Sequence, residues 1–421
     1  MRNANFLSVA VVFAILLFVN FYAFKAIKTF ISNSDNRLKH TVYISFWAIP
    51  VIIFLGLIWF FLNRESFDKP QNFSKIYYLS GFFILFYLPQ FILVIFHLSE
   101  DFLKFLIYLI AKPFSDSTFF AKFSDKIQHI FPLTILGFVL SALTFLSILY
   151  GIFIGRFNYE VKKIEISFPN LPPSFDGFQV LQISDFHTGS WYGHEEEMKK
   201  AIRYINEQNA DIVVFTGDMV NNTASELDSF IPILREINAK IGKYSILGNH
   251  DYGDYHEWKN QSEKTKNLEK LAKNYSEMGF RLLRDESVIF SNDSDKIVLL
   301  GVENWGRKPF PQRGDLEKAM KNTENIPFKI LLSHDPSHWD FEIKEKTNID
   351  LTLSGHTHAM QLAINLGFWK WSPVKWLYPK WQGLYQEGKQ FLYVNTGIGF
   401  VGIPVRVGCR PEITVFELKR E

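Results

Sequence analysis

The sequence predicts an α/β domain of two sheets, preceded by a membrane region of four helices. Three observations predict it. Almost all long apolar runs lie before residue 155, and most of the charge lies after it. Four of those runs are long enough to cross a bilayer. Beyond Arg156, short apolar strands alternate with helical segments, the rhythm of an α/β fold.

The membrane-length runs are residues 5–24, 41–62, 77–98 and 130–154. Each reaches the ~20 mostly apolar residues that a spanning helix needs. The first is too long for a secretory signal, lacks a clear small-residue cleavage site and is followed by three more spans, so it reads as a retained helix. Residues 102–111 are also apolar, but Asp101, Lys104 and the short run suggest an interfacial or re-entrant segment. Lysine and arginine divide almost evenly between the two sides of four spans. The charge asymmetry that assigns a side is therefore missing, and the side of the catalytic part stays open. These runs divide the chain into a multi-pass anchor, 1–156, and a second domain, 157–421.

In the second domain, Glu160 to Phe168 alternates like an entering strand, and Pro172-Pro173-Ser174 with Asp176-Gly177 marks a turn. Gln179 to Ser184, Asp211 to Thr216, Lys243 to Leu247, Lys329 to Leu332 and Asp350 to Ser354 read as buried strands. Glu195 to Gln208 has helical spacing, with Met198, Ile202 and Ile205 on one face, and Ser225 to Asn238 reads as a second helix. Val288 to Phe290, Lys296 to Val302, Gln390 to Asn395 and Glu412 to Leu418 suggest the second sheet.

Five motifs stand at the strand ends, where open α/β sheets bind ligands. They are Asp185-Phe186-His187, Gly217-Asp218, Gly248-Asn249-His250-Asp251, Ser333-His334-Asp335 and Gly355-His356-Thr357-His358. Taken singly, each has an ordinary explanation as a turn, a cap or a loop histidine. Together they offer carboxylate, amide and imidazole groups and no thiol, a set suited to manganese, iron or zinc. Two divalent ions roughly 3.5–4 Å apart activate a water and clamp both oxygens of an in-line phosphoryl displacement.

This set of motifs resembles the calcineurin-like metallophosphoesterase superfamily over roughly residues 160–420. The resemblance implies a two-sheet α/β sandwich. It also implies a first metal ion held by Asp185, His187, Asp218 and His358, and a second held by Asp218, Asn249, His334 and His356, with Asp218 bridging. His250 matches the family's non-ligand histidine beside the leaving group, and Asp251 is placed to orient it. Leu171-Pro172, Phe175 to Phe178, Asn395-Thr396-Gly397 and Pro411 to Thr414 resemble the membrane-anchored bacterial branch. The wider superfamily includes UDP-diacylglucosamine pyrophosphohydrolases, which act on a lipid. Close relatives often follow the last histidine with two glycines and a glutamine, and here Ala359-Met360-Gln361 stands instead.

The expected reaction is metal-dependent hydrolysis of a phosphoester or pyrophosphate. The favoured substrate is lipid-linked, because the anchor holds the site near the bilayer. A phosphodiesterase of soluble substrates that is only tethered, and a non-catalytic interaction module on the same fold, are the alternatives. A module has no need of seven ligands and His250. The net charge of +2 gives no case for nucleic acid as a partner. One cysteine, Cys409, allows no internal disulfide and reads as a small core residue. His194, His256 and His338 read as surface or loop histidines, and Asn20 and Gln90 as bonding partners between helices. Phe368-Trp369-Lys370-Trp371 and Trp376 to Trp381 interleave aromatics with lysines. They read either as a satellite core or as an interfacial lip beside the site.

Overall fold

The computed structural model describes residues 6–63, 72–114, 131–308, 310–367 and 369–421. Asn5, Ile130 and Phe368, which the sequence places at the edges of two spans and of the aromatic stretch, lie outside them. The chain divides into two units, Met1–Arg64 with Tyr78–Tyr150, and Glu65–Tyr77 with Gly151–Glu421.

The first unit is built on α1 (Phe6–Phe30), α2 (Asn36–Leu62), α3 (Phe73–Ala111) and α4 (Pro132–Phe153). All four are long and apolar enough to cross a membrane, which makes this a multi-pass membrane protein. Val19, Ala23, Phe46, Ile53, Tyr87 and Leu93 meet in the interior, where the small Ala23 and Ala26 let helices approach. Asn20 donates to the Tyr87 hydroxyl at 3.0 Å, a bond between helices. Residues 102–111 are not a separate interfacial piece. They continue α3, which at 39 residues is roughly 60 Å long. The charges that suggested a break are paired: Asp101 with Lys25 of α1, and Lys104 with Glu100 at 3.0 Å.

The second unit is a sandwich. One sheet takes β1 (Glu160–Phe168), β14 (Glu412–Arg420), β2 (Gln179–Ile183), β3 (Ile212–Phe215), β4 (Gly242–Ser245) and β5 (Phe280–Leu282), in that order. The other takes β12 (Gly383–Glu387), β13 (Gln390–Val394), β9 (Leu351–Ser354), β8 (Phe328–Leu332), β7 (Asp295–Gly301) and β6 (Glu286–Asn292). A hairpin of β10 (Ile364–Asn365) and β11 (Lys370–Trp371) stands apart. Side chains alternate across each strand. Val180, Ile212 and Val214 face Leu299, Ile330, Leu332 and Leu353 between the sheets. Leu181, Ile183, Val213 and Phe215 face outward, onto α5 (Glu195–Asn206) and α7 (Gln261–Glu277). Burial on both faces explains why these strands read as unbroken apolar runs.

Two expectations change. Glu412 to Leu418 joins the first sheet, pairing parallel to β1 and antiparallel to β2, because Phe416 and Leu418 fill the middle layer while Ile413 and Val415 face the helices. Ser225 to Asn238 is a 3-10 turn, Ala224–Leu227, and a short helix α6 (Ile231–Leu234). Pro232 at the start and the Thr223–Glu226 capping box divide it.

Candidate metal centre

The ends of β2, β3, β4, β8 and β9 bring the seven donor residues together. Three overlapping groups form, Asp185–His187–His358, His187–Asp218–His250 and Asp218–His334–His356, each with its donor atoms within 4.8 Å of one another. On one side, His187 Nε2 lies 3.0 Å from His358 Nε2, and His358 Nε2 lies 3.2 Å from Asp185 Oδ1. On the other, Asn249 Oδ1 lies 2.8 Å from His356 Nδ1 and 3.2 Å from His334 Nε2. Asp218 Oδ2 belongs to both sides, at 3.7 Å from His187 Nε2 and 3.2 Å from His334 Nε2.

Surrounding contacts fix which atom of each residue faces inward. The His250 backbone N–H occupies Asp218 Oδ1 at 2.8 Å, which leaves Oδ2 for the two sides. His334 Nδ1 donates to the Thr216 carbonyl at 2.7 Å, so its other nitrogen faces the centre. Asn249 donates its amide to the Tyr255 hydroxyl at 2.8 Å, which turns its oxygen inward. His356 Nε2 meets the Tyr378 hydroxyl at 2.8 Å. Such partners set ring orientation in metal sites.

The backbone is strained where the donors stand. Asp185, His187, Asp218, His356 and His358 all have φ between 49° and 73°, a region that non-glycine residues rarely enter. Ala359 and Met360 also lie there, at 50° and 52°. They keep a conformation in which glycine is at home. A side chain at Gly248 would strike the Asp218 carboxylate, and one at Gly355 would strike Asp185.

The electrostatics suit cations. Burial opposes the charge of Asp185 and Asp218, but His358 beside the first and His334 and His250 beside the second hold both carboxyls well below the usual range. Burial pushes His187 and His356 down, which favours their neutral forms. Burial also opposes protonation of His334, yet the Asp218 charge raises it to about 10. Buried nitrogen and oxygen donors of this kind, with two ionised carboxylates among them, fit two divalent ions.

His250 is half-buried, with Nδ1 donating to the Asn221 carbonyl at 2.7 Å and its ring 4.4 Å from that of Tyr255. Asp251 does not orient it. Its carboxylate accepts backbone N–H groups from Gly248, Asp218, Met219 and Val220, so it pins two ligand loops instead. His338 is fully buried, bonded to Ser333 and Glu342 and stacked on Trp305. His194 faces Arg156, and His256 packs on Trp258. Sequence reasoning missed Tyr255, Tyr378, Asn221 and Glu226. It also missed Arg406, a buried guanidinium 3.2 Å from His358 Nδ1 that donates to the Thr396 and Gly399 carbonyls. A lone charge in the apolar run Ile403 to Val407 was the available signal for it.

The aromatic segment divides. Trp381 is 5 % exposed and packs with Cys409, Val374, Ala363 and Ala359, while Trp376 is 78 %, Leu377 57 % and Trp369 45 % exposed.

A sandwich of two mixed sheets with this donor set at its strand ends defines a metallophosphoesterase. The chain belongs to the calcineurin-like phosphoesterase family. Residues 178–360 match the calcineurin-like phosphoesterase model, and residues 2–156 match that of the probable calcineurin-like phosphoesterase transmembrane domain. The metallophosphoesterase YkuE of Bacillus subtilis is 35% identical over 64% of this chain and 89% of its own length. A Campylobacter jejuni metallophosphoesterase is 27% identical over 90% of this chain and 92% of its own. A transmembrane protein with metallophosphoesterase domain from Danio rerio is 30% identical over 68% of this chain, which spans 63% of that relative.

Proposed function

We propose that this membrane protein hydrolyses a phosphoester or pyrophosphate of a lipid-linked substrate. Asp185, His187, Asp218, Asn249, His334, His356 and His358 hold two divalent ions, of manganese, iron or zinc. The observation that carries the proposal is the position of Asp218 Oδ2 between the His187 and His334 rings, one carboxylate oxygen common to two donor sets. Such ions supply Lewis acidity at the phosphoryl oxygens and a water activated for attack. His250, held through Nδ1, presents its other nitrogen for proton donation to the leaving oxygen. Asp251 holds the loops that carry Asp218 and His250.

Support for a lipid-linked substrate comes from the exposed Trp369, Trp376 and Leu377, interleaved with the exposed Lys370 and Lys375. The Tyr378 hydroxyl, next to this patch in sequence, reaches His356. Exposed tryptophan with lysine suits the depth of lipid headgroups. The deciding experiment is a hydrolysis panel on the full-length protein in detergent with manganese. Faster turnover of lipid-linked phosphoesters than of matched soluble ones supports the proposal. Equal turnover leaves a tethered phosphodiesterase, and no turnover of any phosphoester leaves a non-catalytic module.

A further inference from the structure

The loop that follows Asp218 is tied to a residue far away in sequence. Tyr77, in the first turns of α3, belongs to the same unit as the metal centre. Its ring packs edge-on against Phe400, with centroids 5.6 Å apart, and its hydroxyl accepts from Asn221 Nδ2 at 2.7 Å. The same amide donates to Ser190 Oγ at 3.1 Å, and Ser190 donates to the Phe400 carbonyl at 2.6 Å. Asn221 thus meets four segments at once. Its backbone N–H goes to Glu226 at 2.6 Å, its side chain to Tyr77 and Ser190, and its carbonyl accepts from His250 Nδ1 at 2.7 Å.

We propose that Tyr77 is a positioning residue for His250, acting through Asn221. The proposal rests on His250 being the proton donor. The Asn221 side chain and carbonyl belong to one residue, so fixing the amide fixes the direction in which the carbonyl holds the imidazole. Tyr77, Ser190 and Asn221 are buried, and a buried amide N–H that loses its acceptor costs about 1–3 kcal/mol. Glu226 holds the Asn221 and Asn222 N–H groups, so the loop relieves that cost by a small tilt of the residue within those contacts, and the carbonyl tilts with it. Glu226 and Asp251 still grip the backbone on either side, so the fold and the donor set stay in place. The consequence is therefore a misdirected His250 in an otherwise intact site. Tyr77, which no sequence motif marks, then contributes to the chemistry.

The test uses the full-length protein in detergent with manganese and a series of aryl phosphodiesters, from good to poor leaving groups. Tyr77→Phe removes the hydroxyl and little else. It should slow kcat about tenfold for the poorest leaving group, short of the roughly 10²-fold that a full ångström of misplacement costs. The loss should shrink as the leaving group improves, with KM and bound metal unchanged. Asn221→Ala, which keeps the backbone carbonyl, should steepen the same dependence, and the double variant should be no worse than the more severe single one. In a His250→Ala background, Tyr77→Phe should add nothing. Equal slowing of all substrates, or a loss that multiplies onto His250→Ala, overturns the proposal. If His250→Ala steepens the leaving-group dependence and Tyr77→Phe does not, the Tyr77 link alone fails. If His250→Ala leaves the dependence flat, the proton-donor role fails and takes the link with it.

Discussion

Asp251 and Glu226 between them accept the backbone N–H groups of six consecutive residues, Asp218 to Thr223. Asp251 takes Asp218, Met219 and Val220, and Glu226 takes Asn221, Asn222 and Thr223. Glu226 also takes Gly189, two residues after His187, and Asp251 takes Gly248, one residue before Asn249. Two buried carboxylates thus replace the sheet hydrogen bonds that this segment lacks, and they hold the loop that carries the shared Asp218 oxygen.

Asp251→Asn tests the first of these. An amide offers one acceptor oxygen and turns an NH₂ group toward donors, so at least one buried N–H is orphaned, at a cost of about 1–3 kcal/mol. The variant should melt earlier than wild type and retain less metal after gel filtration. Unchanged melting and full metal content would show that the backbone contacts of Asp251 are dispensable.

Glu226→Gln tests the second through pH. Burial raises the Glu226 carboxyl from 4.5 to about 7, against the pull of its four N–H donors. The folded state therefore binds its proton more tightly than the unfolded chain. The stability this contributes is full below about pH 4.5 and is lost as the pH rises through about 7. Glutamine cannot titrate, so the wild-type advantage in melting temperature over Glu226→Gln should be largest near pH 4.5 and shrink by pH 8. An advantage that holds constant or grows with pH would rule out a raised carboxyl.

His250→Ala should keep both metals and slow turnover by about 10²–10⁴-fold for poor leaving groups. The loss should be smaller for good ones, which leave without a proton. An equal loss across the series contradicts proton donation and leaves only charge stabilisation.

Replacing Trp369, Trp376 and Leu377 with serine should impair hydrolysis of a lipid-linked phosphoester in vesicles and leave a small soluble aryl ester nearly unaffected. The three are exposed, so the melting temperature should hold. A parallel fall of both activities with stability would place the segment in the core, as Trp381 already is.

Much of the fold is legible because chemistry and chain order coincide. Gln179–Ile183, Ile212–Phe215 and Leu351–Ser354 are buried on both faces almost throughout, and a motif of the candidate site follows each one. Other features depend on distant partners. The continuity of α3 past Asp101 rests on Lys25 in another helix. The place of Glu412–Arg420 between β1 and β2 is a pairing choice that alternation alone does not reveal. Asp251 was misread because residues adjacent in sequence point apart: His250 faces the ligand centre and Asp251 turns back to the backbone. The α7 helix did carry a signal, since Asn260 caps it by accepting from the Glu263 N–H and Leu268, Leu271 and Tyr275 share its inner face. Tyr255 and Tyr77 reach the site or its loop from segments with no motif of their own, and Tyr378 reaches it from the aromatic segment, where only its contact with His356 reveals the role.

The central claim is that Asp218 is shared by two ions, and the most direct measurement is the metal content per chain of full-length protein purified in detergent and loaded with manganese. Wild type should hold close to two ions. Asp218→Asn, whose neutral amide cannot balance two cations, should hold fewer and lose nearly all turnover while remaining folded. A wild-type chain that turns over with one ion or none, or an Asp218→Asn variant with full metal content and activity, would contradict the shared site.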